Sequence, residues 1–362
     1  MSEAARRLES THFCMRIDLE SSITPQDAVV RLGLASQPFA SLWGRTKKVF
    51  SNVPDFLESV SFLDFGIHLR PLITLDEWEV KASGIINVMS MSEKPVILFL
   101  DEVPIFIHNL YSSAGKDNRD AGIAEVARFL RWLREMSQTY QGKVTFVLTG
   151  SIGLAPILQR FGLRHQLGNF YPFDLPPWDT KTCLDCLAAL AHHEGVIFDA
   201  GASEKMMQLL GEGIPHYVQR FFDVVLAECQ SKGQSGITIE DVENAYEGKM
   251  LGAITELDLA NYYERLARVL GEEETPFAIE LLTETAVKGK LSQKALESIR
   301  QLSGYEKYGS PEIQNKILGI LEHDGYLKRS KTNWVFYSNL LRDWWKRRFG
   351  SGYVSLIKRA AK

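Results

Sequence analysis

The sequence predicts an α/β fold in which a parallel sheet is followed by a helical region and then by three helices and a hairpin. Strand-like and helix-like segments alternate over the first 175 residues, which is typical of a parallel sheet covered by helices. From about residue 176 the apolar spacing is helical, and near the end two β-rich runs flank a polar turn. We therefore divide the 362 residues into three predicted domains, 1–175, 176–256 and 257–362.

The first predicted domain carries the strand signals. Strands are predicted at 13–18, 96–100 and 144–148, of which 96–100 is an apolar run expected to be buried on both faces, and a shorter strand is predicted at 169–171. Residues 121–140 place apolar side chains at helical spacing, so this helix is predicted to cover the sheet.

Between the first two strands, the segment from Ser36 to Asp76 contains a basic cluster and scattered aromatic residues. We predict an insertion of mixed structure there. The basic residues are Arg45, Lys47 and Lys48.

The second predicted domain is helical, with helices at 180–193, 203–210, 215–231 and 238–246. Candidate N-caps are Ser203, near the start of the second helix, and Thr238, before two acids.

The third predicted domain begins with a linking helix through Leu259 to Leu270. Further helix starts are marked by Thr275-Pro276, Ser292 and Ser310-Pro311, because proline in the first turn and a preceding hydroxyl residue are start signals. Segments 326–329 and 334–337 would then form a hairpin. This order of elements is that of a winged-helix domain with the hairpin as its wing.

Composition is that of an ordinary globular protein, with 45% apolar residues, 24% charged residues and a formal net charge of −4. No apolar run approaches the roughly 20 residues that span a bilayer, and no signal-peptide core is present. We therefore expect a cytoplasmic protein without a membrane partner. Four cysteines are too few for a disulfide framework, and Cys183-x-x-Cys186 lies in a helical run without a second cysteine pair, so a core role is favoured over metal binding.

The most informative run is Pro95-Val96-Ile97-Leu98-Phe99-Leu100-Asp101-Glu102, in which apolar residues are followed at once by two acids. Such a strand delivers two carboxylates to the carboxyl end of a parallel sheet, where these sheets bind ligands. This is the pattern of a Walker B strand, whose aspartate holds Mg²⁺ through water and whose glutamate orients the attacking water. Asp101 is thus a predicted metal residue and Glu102 a predicted catalytic residue. The alternative is a buried strand that ends in two solvated acids.

A phosphate-binding loop of the pattern G-x-x-x-x-G-K-[ST], the Walker A loop, does not occur in the sequence. Residues Met1 to Glu9 have the composition of a helix without an N-cap, and resemble the tail of the helix that follows such a loop. We therefore expect the loop and the first strand of the sheet to lie upstream of Met1.

The C-terminal segment from Tyr326 to Lys362 contains ten lysines or arginines and one acid, Asp343, so it supplies +9 while the rest of the chain carries about −13. It is a candidate anion-binding surface, and the alternative is a solvated basic face. The predicted helix before it is rich in acids around Lys316 and is poorly suited to a phosphate-lined groove. The candidate nucleic-acid contacts are Lys328, Arg329, Lys331, Lys346, Arg347 and Arg348.

Several of these motifs, in their order, carry a family resemblance. The chain resembles the archaeal-type branch of the AAA+ and STAND P-loop ATPases over nearly its whole length. The motifs that carry the resemblance are the acidic strand end, the strand 144–148 followed by Thr149-Gly150-Ser151, the later Arg164, and Gly213-Ile214-Pro215. The chain departs from the family pattern in lacking the Walker A loop.

The resemblance implies that Thr149 or Ser151 senses the γ-phosphate and that Gly213 and Pro215 belong to a helical lid over the nucleotide. Arg164, like Arg160, lies where the family places an arginine finger serving a neighbouring subunit of a homo-oligomer, although either could instead be a surface salt-bridge partner. In the related fold the first strand lies between 144–148 and 169–171. Its removal would leave unpaired edges, and each unsatisfied buried backbone group costs about 1 to 3 kcal/mol.

Two functions are therefore predicted. The leading one is an ATP-driven switch that uses ATP and Mg²⁺ and whose winged-helix domain contacts DNA or a protein partner. Its ATPase activity is expected only if a Walker A segment lies upstream, and without that segment we expect ATP to bind poorly. The alternative is a nucleotide-free DNA-binding or adaptor protein on a degenerate ATPase scaffold.

Overall fold

The structure is a computed structural model that describes residues 2–46, 77–115 and 118–361. The chain forms two compact units, Met1–Tyr171 and Pro172–Lys362. The predicted boundary after residue 175 lies four residues beyond the first unit, and the predicted boundary after residue 256 falls inside a helix of the second. The division of the second unit into two domains stays a prediction. Most of the predicted insertion, including Lys47 and Lys48, lies outside the described residues.

In the first unit, three parallel strands pair in the order β1 (Phe13–Asp18), β2 (Val96–Asp101) and β3 (Val144–Leu148). The predicted strands at these three places are confirmed: β2 is a buried apolar run, whereas β1 buries Ile17 and β3 buries Val144 and Phe146. Asp18 of β1 lies opposite Asp101 of β2, so both strands end at the same level.

The helices of the first unit cover this sheet and flank it. Those described are α1 (Ser2–Leu8), α2 (Pro25–Ala35), α3 (Trp78–Ser90), α4 (Val103–Ser113), α5 (Arg119–Thr139) and α6 (Leu154–Arg160), with 3-10 turns at Gln37–Thr46 and Arg164–Leu167. Trp78, Phe106, Phe129 and Trp132 form an aromatic cluster between α3, α4 and α5. This cluster holds α4, and with it the residues that precede it, against the rest of the core.

The predicted short strand at 169–171 is wrong. This segment has no strand pairing in the structure, and Tyr171 is 91% exposed. Its β-favouring side chains were the reason for the prediction, but a strand needs a neighbour for its backbone hydrogen bonds, and none of the described strands supplies one here.

The second unit is mostly helical. Its described elements are α7 (Thr180–Glu194), β4 (Ile197–Phe198), α8 (Ala202–Leu210), α9 (Pro215–Ser231), β5 (Gly236–Ile237), α10 (Ile239–Ala245), a π-helical turn (Tyr246–Met250), α11 (Ala253–Leu270), α12 (Thr275–Lys288), α13 (Gln293–Ser298), α14 (Pro311–His323), β6 (Leu327–Ser330), β7 (Asn333–Phe336), α15 (Asn339–Phe349) and α16 (Leu356–Ala360), with 3-10 turns at Ile299–Gln301 and Glu306–Gly309.

The helix starts of this unit follow its capping residues. Thr238 and Asp241 form a capping box at α10, and the Ser292 hydroxyl accepts the Ala295 N–H at α13. The expected cap at Ser203 is wrong, because α8 begins at Ala202, after Gly201 in a left-handed conformation.

Strands β6 and β7 pair antiparallel around a two-residue turn. Trp334 of β7 also forms an antiparallel β-bridge with Leu291, so a third segment of one residue pairs with this hairpin. Together with α12, α13 and α14 this is the order of elements that the sequence predicts. Among the described residues no helix is long and apolar enough to cross a bilayer.

Candidate functional site

The carboxyl ends of β2 and β3 bring four predicted site residues together. We call Asp101, Glu102, Thr149 and Ser151 the strand-end cluster. Backbone hydrogen bonds align the two ends: the Thr149 N–H donates to the Leu100 carbonyl over 2.9 Å, and the Val103 N–H donates to the Thr149 carbonyl over 3.1 Å. The parallel register therefore places each acid of β2 beside a hydroxyl residue that follows β3.

Asp101 is held by two side chains. Its Oδ1 accepts the Thr149 hydroxyl over 2.6 Å, and its Oδ2 accepts both Nη2 and Nε of Arg16, over 2.6 and 3.1 Å. The Asp101 side chain is only 14% exposed. Both carboxylate oxygens are thus occupied within the first unit.

Glu102 lies just before α4 with φ 56° and ψ 35°, a left-handed conformation. Such a backbone costs a non-glycine residue about 1 to 3 kcal/mol and marks a position that its surroundings enforce. Its Oε2 accepts both the backbone N–H and the hydroxyl of Ser151, each over 3.0 Å. The left-handed turn therefore directs the Glu102 carboxylate toward the residues after β3.

Gly150 is needed for this arrangement. A Cβ atom at this position would lie 2.4 Å from Cδ and 2.6 Å from Cγ of Pro104, in the first turn of α4. The glycine in Thr149-Gly150-Ser151 is therefore required for steric reasons. The two hydroxyl residues of this sequence reach the two acids only because the residue between them has no side chain.

Sequence reasoning missed Arg16. It lies on β1, the neighbour of β2, and reaches from its register position opposite Phe99 to Asp101, two residues further along. The available signal was a basic residue in a strand predicted to belong to the same parallel sheet as the acidic strand end.

The charge environment of Asp101 has a measurable consequence. Burial raises the pKa of Asp101, but the hydrogen bonds from Thr149 and Arg16 outweigh burial, so the pKa lies below its ordinary value of 3.8. A carboxyl group with a lowered pKa contributes stability that is present above about pH 4 and is lost as the pH falls through its folded-state pKa.

We therefore expect Asp101→Asn to reduce the free energy of unfolding most near pH 7, and the difference from wild type to shrink as the pH falls below about 4. Urea denaturation of both proteins at a series of pH values measures this difference. Asp18→Asn is the control, because Asp18 occupies the same level of β1 and is exposed. A difference between Asp101→Asn and wild type that stays constant down to pH 2 would contradict the expectation.

Mg²⁺ is the metal that the predicted Walker B pattern implies. Among the described residues no three histidine, cysteine, aspartate or glutamate side chains cluster to hold a metal ion. Both oxygens of Asp101 already accept hydrogen bonds, one of them from a guanidinium group. As arranged, the described residues do not fit Mg²⁺, because a second cation would have to displace Arg16.

The remaining residues of the predicted ATPase site lie elsewhere. Arg164 is exposed at the start of its 3-10 turn, whereas Arg160 lies over the ring of Tyr111. Gly213 has a structural role in the second unit: its carbonyl accepts the Trp178 N–H over 2.9 Å, and a Cβ there would lie 2.2 Å from the Trp178 carbonyl oxygen. Pro215 occupies the first turn of α9. The nucleotide-binding roles of Gly213 and Pro215 stay predictions.

The six candidate nucleic-acid contacts separate into two groups. Three are ion-paired within the second unit: Lys328 with Glu212, Arg347 with Glu247, and Arg348 with Glu256. The other three are exposed and make no ion pair with another described residue. They are Arg329, Lys331 and Lys346.

No protein-family model matches the sequence, and no curated protein matches it. Solved structures do match. The Walker-type ATPase PABY2304 of Pyrococcus abyssi superimposes with a TM-score of 0.52 at 14% identity, over 92% of this chain and 84% of that chain.

Two further structures superimpose more loosely. Orc1 of Aeropyrum pernix, in complex with DNA, gives a TM-score of 0.40 at 15% identity, over 97% of this chain and 81% of that chain. The RuvB Holliday junction branch migration motor of Thermotoga maritima gives 0.36 at 15% identity, over 92% and 87%.

At these identities the likeness concerns the fold. The parallel sheet, the helices around it and this superposition show that the chain has an α/β fold similar to that of a Walker-type ATPase.

Proposed function

We propose that the protein is an ATP-dependent molecular switch of the AAA+/STAND type, whose C-terminal region passes the state of the site to DNA or to a protein partner. The observation that carries the proposal is the strand-end cluster. Two carboxylates and two hydroxyls meet at the carboxyl ends of adjacent parallel strands, where folds of this class bind their ligands.

Glu102 is the candidate for orienting water. Its carboxylate is fixed by the Ser151 N–H and hydroxyl, and it lies at the N-terminus of the 11-residue helix α4, whose dipole favours a negative charge. Release of the Glu102 carboxylate from Ser151 would free an oriented acceptor for the proton of a water molecule. ATP, when bound, supplies the phosphoanhydride bond that this water attacks.

Thr149 couples Asp101 to the end of β3. Its hydroxyl donates to Asp101, while its backbone is tied to both Leu100 and Val103. A group that drew the Thr149 hydroxyl away from Asp101 would thus also disturb the start of α4. This is the arrangement we propose for a sensor of the terminal phosphate.

The test compares wild type with Glu102→Gln, which keeps the size and one hydrogen-bond acceptor of the side chain. We expect the variant to bind a fluorescent ATP analogue as wild type does, and to hydrolyse ATP at least about 100-fold more slowly, because general-base assistance contributes 10²- to 10⁴-fold. Equilibrium fluorescence titration and phosphate release measure the two quantities.

Glu93→Gln is a matched control, since it makes the same substitution at an exposed glutamate in the turn before β2, at the other end of that strand. Equal turnover in Glu102→Gln and wild type would remove Glu102 from the mechanism.

A second candidate function is a nucleotide-free adaptor on the same scaffold. It is favoured by one observation: both oxygens of Asp101 and one oxygen of Glu102 are already satisfied by Arg16, Thr149 and Ser151. Absence of ATP binding at millimolar concentration, in wild type and in Glu102→Gln alike, would favour this function over the switch. A homo-oligomer in which the exposed Arg164 serves a neighbouring subunit stays part of the first proposal.

A further inference from the structure

Arg16 contacts Asp101 in a way that the ATPase proposal does not require. Two of its guanidinium nitrogens lie within 3.1 Å of the same oxygen, Oδ2. Hydrogen bonds between two charged groups are roughly twice as strong as those between neutral groups. Asp101 is therefore neutralised from within the first unit.

Arg16 is the more exposed partner of the ion pair with Asp101. The Arg16 side chain is 58% exposed, whereas the Asp101 side chain is 14% exposed. A cation that binds Oδ2 of Asp101 therefore has to displace the guanidinium. The opposite side of the carboxylate is taken by the Thr149 hydroxyl.

The charge balance at this edge explains why a counter-cation is useful. Three acids, Asp18, Asp101 and Glu102, end β1 and β2. Carboxylate oxygens are the ligands that hard divalent cations prefer. With Arg16 in place, one of these carboxylates is compensated without a metal.

We propose that Arg16 is a built-in counter-cation that occupies the position of a divalent metal ion at Asp101, so that metal binding at this edge requires displacement of the guanidinium. The proposal rests on the proposed function only for the identity of the site, because the competition itself needs no nucleotide. If that function holds, Arg16 is an autoinhibitory contact that sets how readily the site accepts a metal-bound substrate.

The test uses Mn²⁺ alone as the probe, with free Mn²⁺ measured by electron paramagnetic resonance and no nucleotide present. We expect Arg16→Gln to bind Mn²⁺ at least about tenfold more tightly than wild type, a change of about 1.4 kcal/mol. Arg16→Lys keeps a positive charge and should stay near wild type. The double variant Arg16→Gln with Asp101→Asn should lose the gain, which assigns it to Asp101.

Arg31→Gln is the matched control, because it removes a cation from α2 of the same unit, where its partner is Ser21 rather than an acid. A second readout is thermal: Mg²⁺ should raise the Tm of Arg16→Gln and leave that of wild type unchanged. Arg16→Met, which keeps the aliphatic stem, replaces Arg16→Gln in both measurements if the latter does not fold.

Equal Mn²⁺ affinity in wild type and Arg16→Gln would overturn the proposal, and so would a gain that survives Asp101→Asn. Neither outcome depends on ATP. A protein that binds no ATP but gains Mn²⁺ affinity in Arg16→Gln would refute the switch and leave the counter-cation standing, whereas ATP binding without that gain would do the reverse.

Discussion

Replacing Gly150 by alanine is expected to lower the free energy of unfolding of the first unit by about 3 kcal/mol, the upper end of the usual cost of overpacking. The added Cβ would lie 2.4 Å from a ring carbon of Pro104, and a proline ring in the first turn of a helix cannot rotate away. Relief requires α4 to move from β3, which separates Ser151 from Glu102. Urea denaturation of the full chain measures the loss.

The clash is with Pro104, so a second substitution at Pro104 should restore the lost stability. Pro104→Ala removes the two ring carbons, and the double variant Gly150→Ala with Pro104→Ala should recover most of the stability lost in Gly150→Ala. Gly168→Ala is the control within the same unit, because its nearest neighbouring atom would lie at 3.4 Å. Additive losses in the double variant would show that Pro104 is not the cause.

Much of the strand architecture could be predicted because it depends on local pattern. Strands β1 and β3 have the predicted limits and β2 extends one residue further, to Asp101. The uninterrupted apolar run of β2 is buried on both faces of the sheet, whereas β1 and β3 are apolar runs interrupted by polar residues. The start of α14 was equally local, because Ser310-Pro311 marks it. The position of Asp101 and Glu102 at a strand end followed from the same run.

Other features were present in the sequence and were overlooked. Helix α2 begins with a capping box between Thr24 and Asp27 and with Pro25 in its first turn. Pro104 likewise marks the start of α4. Both signals are as strong as the one at Ser310.

The remaining features depend on contacts between distant parts of the chain. Arg16 reaches Asp101 across 85 positions of sequence, and the need for Gly150 arises only because Pro104 packs against it. The wrong strand at 169–171 has the same origin, since β-favouring residues form a strand only where a neighbour accepts their hydrogen bonds. The local sequence pattern thus predicted the positions of Asp101 and Glu102, but it did not predict that Arg16 contacts Asp101.

The ion pairs of the second unit also change what the basic C-terminal segment is expected to do. Lys328, Arg347 and Arg348 are each paired with a glutamate, so their charge is compensated before any ligand arrives. Arg329, Lys331 and Lys346 are exposed without such a pair, and Lys331 lies in the turn between β6 and β7. These three bases carry our proposal of nucleic-acid contact.

Reversing Arg329, Lys331 and Lys346 to glutamate is therefore expected to weaken binding of duplex DNA strongly at about 50 mM salt. If each contacts one phosphate, the slope of log K against log salt should become shallower by about 2.7, or 0.9 for each contact. Fluorescence anisotropy of a labelled duplex at several salt concentrations measures both. The fold should change little, because none of the three is paired with a described acid and the contact that is lost is that of Arg329 with the Trp334 ring.

Reversal of Lys328, Arg347 and Arg348 is the matched control, with the same change in net charge. It sets three glutamates against Glu212, Glu247 and Glu256, so it should lower stability, while changing the salt slope less than reversal of the exposed bases. A larger loss of DNA binding in this control would mean that the paired bases exchange their glutamates for phosphates. If wild type retains no DNA even at about 50 mM salt, nucleic-acid contact by this surface is refuted. The remaining role for the exposed bases is then contact with an acidic protein partner.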